Sequence, residues 1–298
     1  MQTMKRRLFF VLLFLSTLLL GLPAAQAQDA DAPPDTGWKK DLTGKFAASQ
    51  VGFQNWQGGG VNSMALSTGL SGKATKTADR WEQNHELRLG FGVVKQDTLD
   101  VRKAEDVIFL SSAFQYKGDG FFATFNPTVA ASFRSQFAEG FNFDKNPLGD
   151  GRPLPVKVSS FLAPATLTQS IGLTYDPNDW FTQSLGIGAK ETVVTVERFR
   201  PIYGVDPSDA VRFEVGIEAR TAFSKALMEN IFLKSSLGLF AAYNTTDPPD
   251  LIWENMLTMK VNSWVNVNFE FVTLYDKDVS DVMQLKEVLS VGVSFILL

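Results

Sequence analysis

The chain has no cysteine and a single histidine, His85. Without a thiol there are no disulfides, no thiolate chemistry and no lipid attachment through cysteine. With one imidazole the usual multi-histidine metal site is excluded, and any Ser–His–Asp device would have to use His85. Beyond residue 22 no stretch approaches the roughly 18 uninterrupted apolar residues that mark a membrane-spanning helix. Basic residues are also in deficit, 28 Lys and Arg against 32 Asp and Glu, for a net charge of −4. That balance argues against nucleic acid as a partner. Cofactor signatures are missing as well. Gly58-Gly59-Gly60 forms neither G-x-G-x-x-G nor a Walker loop, and no βα unit follows it. The acidic tips Asp247–Asp250 and Asp276–Asp281 lack EF-hand spacing and read as solvated loops. No catalytic, cofactor-binding or metal-binding residue is expected.

What is present begins with an export signal. Lys5, Arg6 and Arg7 precede an apolar run from Leu8 to Leu22, and Ala25-Gln26-Ala27 supplies a small-x-small cleavage site. This is the n-h-c order of a secretory signal peptide over 1–27, cut before Gln28. Residues 28–42 open with QDADAPPDT and read as a flexible periplasmic segment. The remainder, 43–298, reads as one domain without internal repeats.

That domain is patterned in twos. Along Val211–Phe223, one face carries Val211, Phe213, Val215, Ile217, Ala219, Thr221 and Phe223, and the other Arg212, Glu214, Gly216, Glu218, Arg220 and Ala222. Alternation of this kind is a β-strand. Its length suits a transmembrane strand, about 9–11 residues, better than a globular one of roughly 5–6. About twelve such segments are expected, at 43–53, 62–75, 81–95, 104–117, 121–135, 162–176, 181–196, 210–223, 229–243, 252–262, 264–275 and 284–297. Pro127 inside the fifth implies a bulge or broken ladder. The fold class is therefore all-β: a closed antiparallel up-and-down transmembrane barrel.

The connections alternate in length. Short links at Lys76–Arg80, Lys117–Gly120, Asp176–Asp179, Ser224–Asn230 and Asn262–Ser263 interleave with longer ones at 54–61, 96–103, 136–161, 197–209, 244–251 and 276–283. Bacterial barrels sort short periplasmic turns from long external loops in this way. Trp81, Trp180, Trp264 and Phe121-Phe122 sit beside short turns, as a membrane-interface girdle would. The location expected is the outer membrane, with lipid as the surrounding partner. A soluble periplasmic β-sandwich is the competing reading. The insertion 136–160, with Gly140, Gly149, Gly151, Pro147, Pro153 and Pro155, is expected to lack regular structure.

Two groups of residues stand out. Asn55, Trp56, Gly59, Gly60, Asn62 and Ser63 form a candidate corner or mouth motif between the first two strands. Glu86, Arg88, Arg212, Glu214, Glu218, Arg220, Lys234, Glu254, Lys260, Glu270 and Lys286 fall by parity on the inward face. On lipid each would cost several kcal/mol, so they are read as lumen charges, paired into a plug or lining a conducting path. His85 shares its face with Leu87, Leu89 and Phe91, the lipid side, and reads as a rim anchor.

Asn55-Trp56-Gln57-Gly58-Gly59-Gly60-Val61-Asn62-Ser63 resembles the N-W-x-x-G-G-x-N-S pattern of an uncharacterised family of exported Gram-negative proteins, a domain of unknown function. Trp81-x-x-Asn84, Arg102-Lys103 with Asp106, Phe161–Ala165, Tyr175-x-Pro177-Asn178, Met228-Glu229-Asn230 and Lys286–Leu289 are similar to it as well. The resemblance implies an outer-membrane barrel and brings no known activity. The functional expectation is a non-enzymatic, porin-like barrel that admits a small solute or serves the envelope structurally. The alternative is a membrane-embedded hydrolase acting on lipid or peptide at the cell surface.

Overall fold

The computed structural model describes residues 37–52, 61–243 and 247–298. In chain order the strands are β1 (Trp38–Val51), β2 (Ser63–Ala78), β3 (Trp81–Gln96), β4 (Arg102–Tyr116), β5 (Asn126–Ser135), β6 (Gly140–Asn142) and β7 (Val156–Ser159). They continue with β8 (Ala165–Asn178), β9 (Phe181–Val193), β10 (Val211–Met228), β11 (Ile231–Ala242), β12 (Asp250–Lys260), β13 (Val265–Tyr275) and β14 (Gln284–Ile296). Twelve of them close an antiparallel barrel in the order β1-β14-β13-β12-β11-β10-β9-β8-β5-β4-β3-β2, and β6 and β7 form a separate hairpin. The expected strand number and fold class hold.

The strands stand with an apolar face outward. Ile171, Ile187 and Ile217 are cross-strand neighbours on β8, β9 and β10. They are 65%, 57% and 43% exposed, alongside Leu185, Phe213 and Val215. A contiguous isoleucine row facing away from the barrel is a surface made for hydrocarbon, since water would not tolerate a patch of that extent. At the short-turn end rings collect on the same outer face. Trp81 meets Tyr116 at 5.1 Å, Trp180 meets Phe223 at 5.4 Å, and Phe125 meets Tyr175 at 5.6 Å.

Several boundaries differ from expectation, each for a local reason. The fifth segment does not run from 121. Phe121–Thr124 is a single helical turn, α1, entered through Gly120 at φ 59°. The β5 strand begins at Asn126, and the ladder with β4 begins at Thr128. Pro127 therefore sits at the strand's start, where its missing N–H breaks no bond with β4, and no bulge forms. The short link expected at Ser224–Asn230 shrinks to the two residues 229–230, because β10 runs on to Met228 with a register shift between Ala226 and Met228. β1 starts at Trp38, inside the segment read as a flexible leader.

The insertion 136–160 is not wholly irregular, since it carries the β6–β7 hairpin. It packs with a 3₁₀ turn, Glu197–Tyr203, around Ala163, Val194, Phe199 and Val205, a small core at the long-loop end. Asp106 anchors this cap. Its carboxylate accepts from the backbone N–H of Phe137 at 2.7 Å and of Ala138 at 2.9 Å, and from the Lys103 ammonium at 2.9 Å. Arg212 fastens the other side, donating to the Gly204 carbonyl at 3.3 Å and pairing with Asp278 at 2.5 Å. Tyr203 donates to the Val158 carbonyl at 3.2 Å. Burial pushes its hydroxyl up to about 12.

Two outcomes follow for measurement. Arginine at Ile187, mid-strand on the outer face, should cost roughly 2–4 kcal/mol in urea unfolding from phospholipid vesicles. Asp209→Arg, in a loop, should stay within about 0.5 kcal/mol. Because Tyr203 has its proton affinity raised on folding, the stabilisation is complete below its ordinary value of 10 and is lost as pH climbs through about 12. Ultraviolet titration should therefore show a phenolate transition near pH 12 that is absent from Tyr203→Phe.

Candidate functional site

Alternation sends one set of side chains into the lumen, and burial of charge there demands partners. Glu254 on β12 receives the Arg88 guanidinium from β3 and the Arg134 guanidinium from β5, each at 2.9 Å. In the strand order β12 stands five places from β3 one way round and seven the other. Such a bond can only cross the lumen. Lys234 on β11 reaches Glu86 on β3 at 3.0 Å, six strands away in either direction. Opposite walls are thus held within reach of two side chains. Phe109 lies under the bridge, its ring 4.3 Å from the Arg88 guanidinium carbon and 5.2 Å from that of Arg134. The face of an aromatic ring favours a cation, so the ring helps to hold both arginines after they leave bulk water.

Nearer the long-loop end Lys190 pairs with Glu214 at 2.9 Å and with Asp250, and its ammonium stands 5.1 Å from the Phe240 ring. Arg212 shares Glu214 at 3.1 Å. Arg220 pairs with Glu218 on its own strand at 2.9 Å, and Lys286 with Glu270 across β13–β14, also at 2.9 Å. At the mouth Asp276 is held above the usual carboxylate range by burial, offset in part by Lys190.

Two cavities, about 490 and 580 Å³, flank the central bridge, and Arg88, Arg134 and Glu254 line both. The smaller lies between β1 to β4, with Lys45, Gly69, Gly90 and Glu105, and β12 to β14, with Glu270 and Lys286. The larger lies toward β9 to β12 with Lys190, Arg220, Phe240 and Asp250, and Tyr203 of the cap closes on it.

The residues singled out by sequence divide as follows. Glu86, Arg88, Glu218, Arg220, Lys234, Glu254, Glu270 and Lys286 line these cavities, and Arg212 and Glu214 join them through Lys190. Lys260 stands apart at the short-turn end, 4.6 Å over the Phe232 ring, with no ion pair among the described residues. Asn55, Trp56, Gly59 and Gly60 lie outside the described residues. The carbonyl of Asn62 accepts from Asp97 N–H at 2.7 Å, and Ser63 opens β2.

Arg134, Lys190 and Asp250 were legible by parity once their strands were phased, whereas Lys45 sits in a weakly alternating strand. Glu105 was legible in the same way as Arg134, since it lies on the Val107 and Phe109 side of the bulge at Ala104 and keeps their parity. His85 is on the outer face between Trp38 at 5.6 Å and Phe114 at 5.8 Å. It bonds the Ser112 hydroxyl at 2.9 Å, and no carboxylate bonds it among the described residues. A Ser–His pair without an orienting acid is an incomplete hydrolase, and the hydrolase alternative gains no support here.

Among known proteins, residues 48–141 match a family model described as "Protein of unknown function (DUF3078)". That stretch includes Asn55–Ser63. No curated protein matches the chain. Among solved structures it is similar to the translocator domain of the autotransporter NalP from Neisseria meningitidis, at 11% identity over 89% of this chain and 90% of that one, with a TM-score of 0.39. It is also similar to an outer membrane channel from Pseudomonas putida F1, at 10% identity over 88% and 98%, TM-score 0.37. The NanC porin aligns at 9% identity over 85% and 98%, TM-score 0.36.

Proposed function

We propose that the protein is an outer-membrane barrel, exported by its N-terminal leader, whose lumen admits small solutes and is narrowed by the Arg88–Glu254–Arg134 bridge. The observation that carries this reading is the pair of lumen cavities lined by ionised groups on either side of that bridge. A barrel meant only as a rigid anchor gains nothing from burying charge beside empty volume, since apolar filling would stabilise it at least as well. Charges around a water-filled space instead keep that space wet and bias which solutes enter. Short turns gathered at the end that holds both barrel termini support an orientation with the cap facing outward. The mixed signs of the lining favour small neutral or zwitterionic solutes over ions of one charge.

Planar-bilayer recording of purified protein tests this directly. The wild type should show small discrete conductance steps. Glu254→Ala, which leaves two facing guanidiniums without their shared carboxylate, should raise the step several-fold and turn it toward anion preference. If neither form conducts, and neither passes an uncharged sugar in liposome swelling, the conduit reading is wrong.

A further inference from the structure

Resting on the conduit reading, the further question is which solute the smaller cavity would hold. Its charges are paired with two exceptions. Arg88 and Arg134 share Glu254, Lys286 has Glu270, and Asp106 has Lys103. Lys45 on β1 and Glu105 on β4 also line it, and neither side chain makes an ion pair or hydrogen bond among the described residues. The strands between them present glycine. Lys45 pairs with Gly69, Gly69 with Gly90, and Gly90 with Val107, while Glu105 pairs with neighbouring Gly92. At the usual strand spacing the two backbones stand roughly 14 Å apart.

The glycine floor matters to the carboxylate. A Cβ on Gly90 would stand 2.8 Å from Glu105 Oε1 and 3.0 Å from Val107 Cγ1. Glu105 therefore lies along the wall over Gly90, in the row that leads back to Lys45. The result is a slot with a cation at one end, an anion reaching over Gly90 at the other and the bare backbone of Gly69 between.

We propose that this slot binds a small zwitterion, its carboxylate on Lys45 and its ammonium on Glu105. Both contacts are charge-assisted hydrogen bonds, the strong kind. A solute bearing one charge satisfies one end and leaves the other ion partly desolvated without a close ion pair. A solute bearing both, a few ångströms apart, satisfies the two together.

Calorimetry on the full-length protein in lipid nanodiscs decides it with three related compounds: glycylglycine, N-acetylglycine with only the carboxylate, and glycinamide with only the ammonium. Glycylglycine should bind about tenfold or more tighter than either. Lys45→Met and Glu105→Gln should each abolish that advantage, and Gly90→Ala should weaken it by displacing the carboxylate. Heat-modified gel mobility checks that each variant is a folded barrel. Equal affinity for the three compounds, or unchanged binding in both folded charge variants, overturns the proposal. Liposome swelling with arabinose, run in parallel, separates the two readings. Swelling without selective binding removes the slot and keeps the conduit, and selective binding without swelling does the reverse.

Discussion

Everything in this molecule depends on one demand of the bilayer: a backbone N–H or C=O that meets hydrocarbon must already be bonded. A closed ladder meets that demand, and closure here is the meeting of the first strand with the last. Thr43 to Ala48 pair with Val291 to Ile296, and the Leu42 N–H and carbonyl reach Leu298 and Leu297. That seam has six partnered positions, whereas β13 matches ten on the same strand. From Gln284 to Ser290, β14 takes its ladder from β13 alone among the described residues. The barrel is thus zipped firmly at the short-turn half and lightly at the other.

Once closure fixes inside and outside, the side chains follow. Outward positions meet lipid and are apolar. Inward ones meet each other across a narrow space, where ionised groups persist only if partnered or wet. The lumen solves this by linking walls. Glu254 gathers two guanidiniums from strands far away around the barrel, and Phe109 offers them a ring face. Opposite-wall bonds do two things at once, bracing the cylinder and dividing its interior. The charges left over, Lys45 and Glu105, lie where two glycines leave space beside the wall.

The cap obeys the same bookkeeping outside the membrane. Loops this long would scatter without a core of their own, and Phe199 with Val194 and Ala163 supplies one. Asp106 converts that local packing into attachment, because three donors converge on one carboxylate that is almost wholly buried. The motif Arg102-Lys103 with Asp106 acquires a structural meaning from this: it holds the insertion down over the mouth.

The twelve-strand barrel, its lipid-facing rows and most of the interior charges could be read from the residues alone, since alternation is a local property that most of the strands repeat. The errors of that reading fell where local geometry departs from a plain strand, at the α1 turn before Asn126 and at the β6–β7 hairpin inside the insertion. Which charge meets which was never local. Arg88 and Glu254 are separated by 166 residues, and only closure of the ladder brings their strands to opposite sides of one narrow lumen. The cavities, the bridge between them and the two charges left without an ion-pair partner are products of that closure.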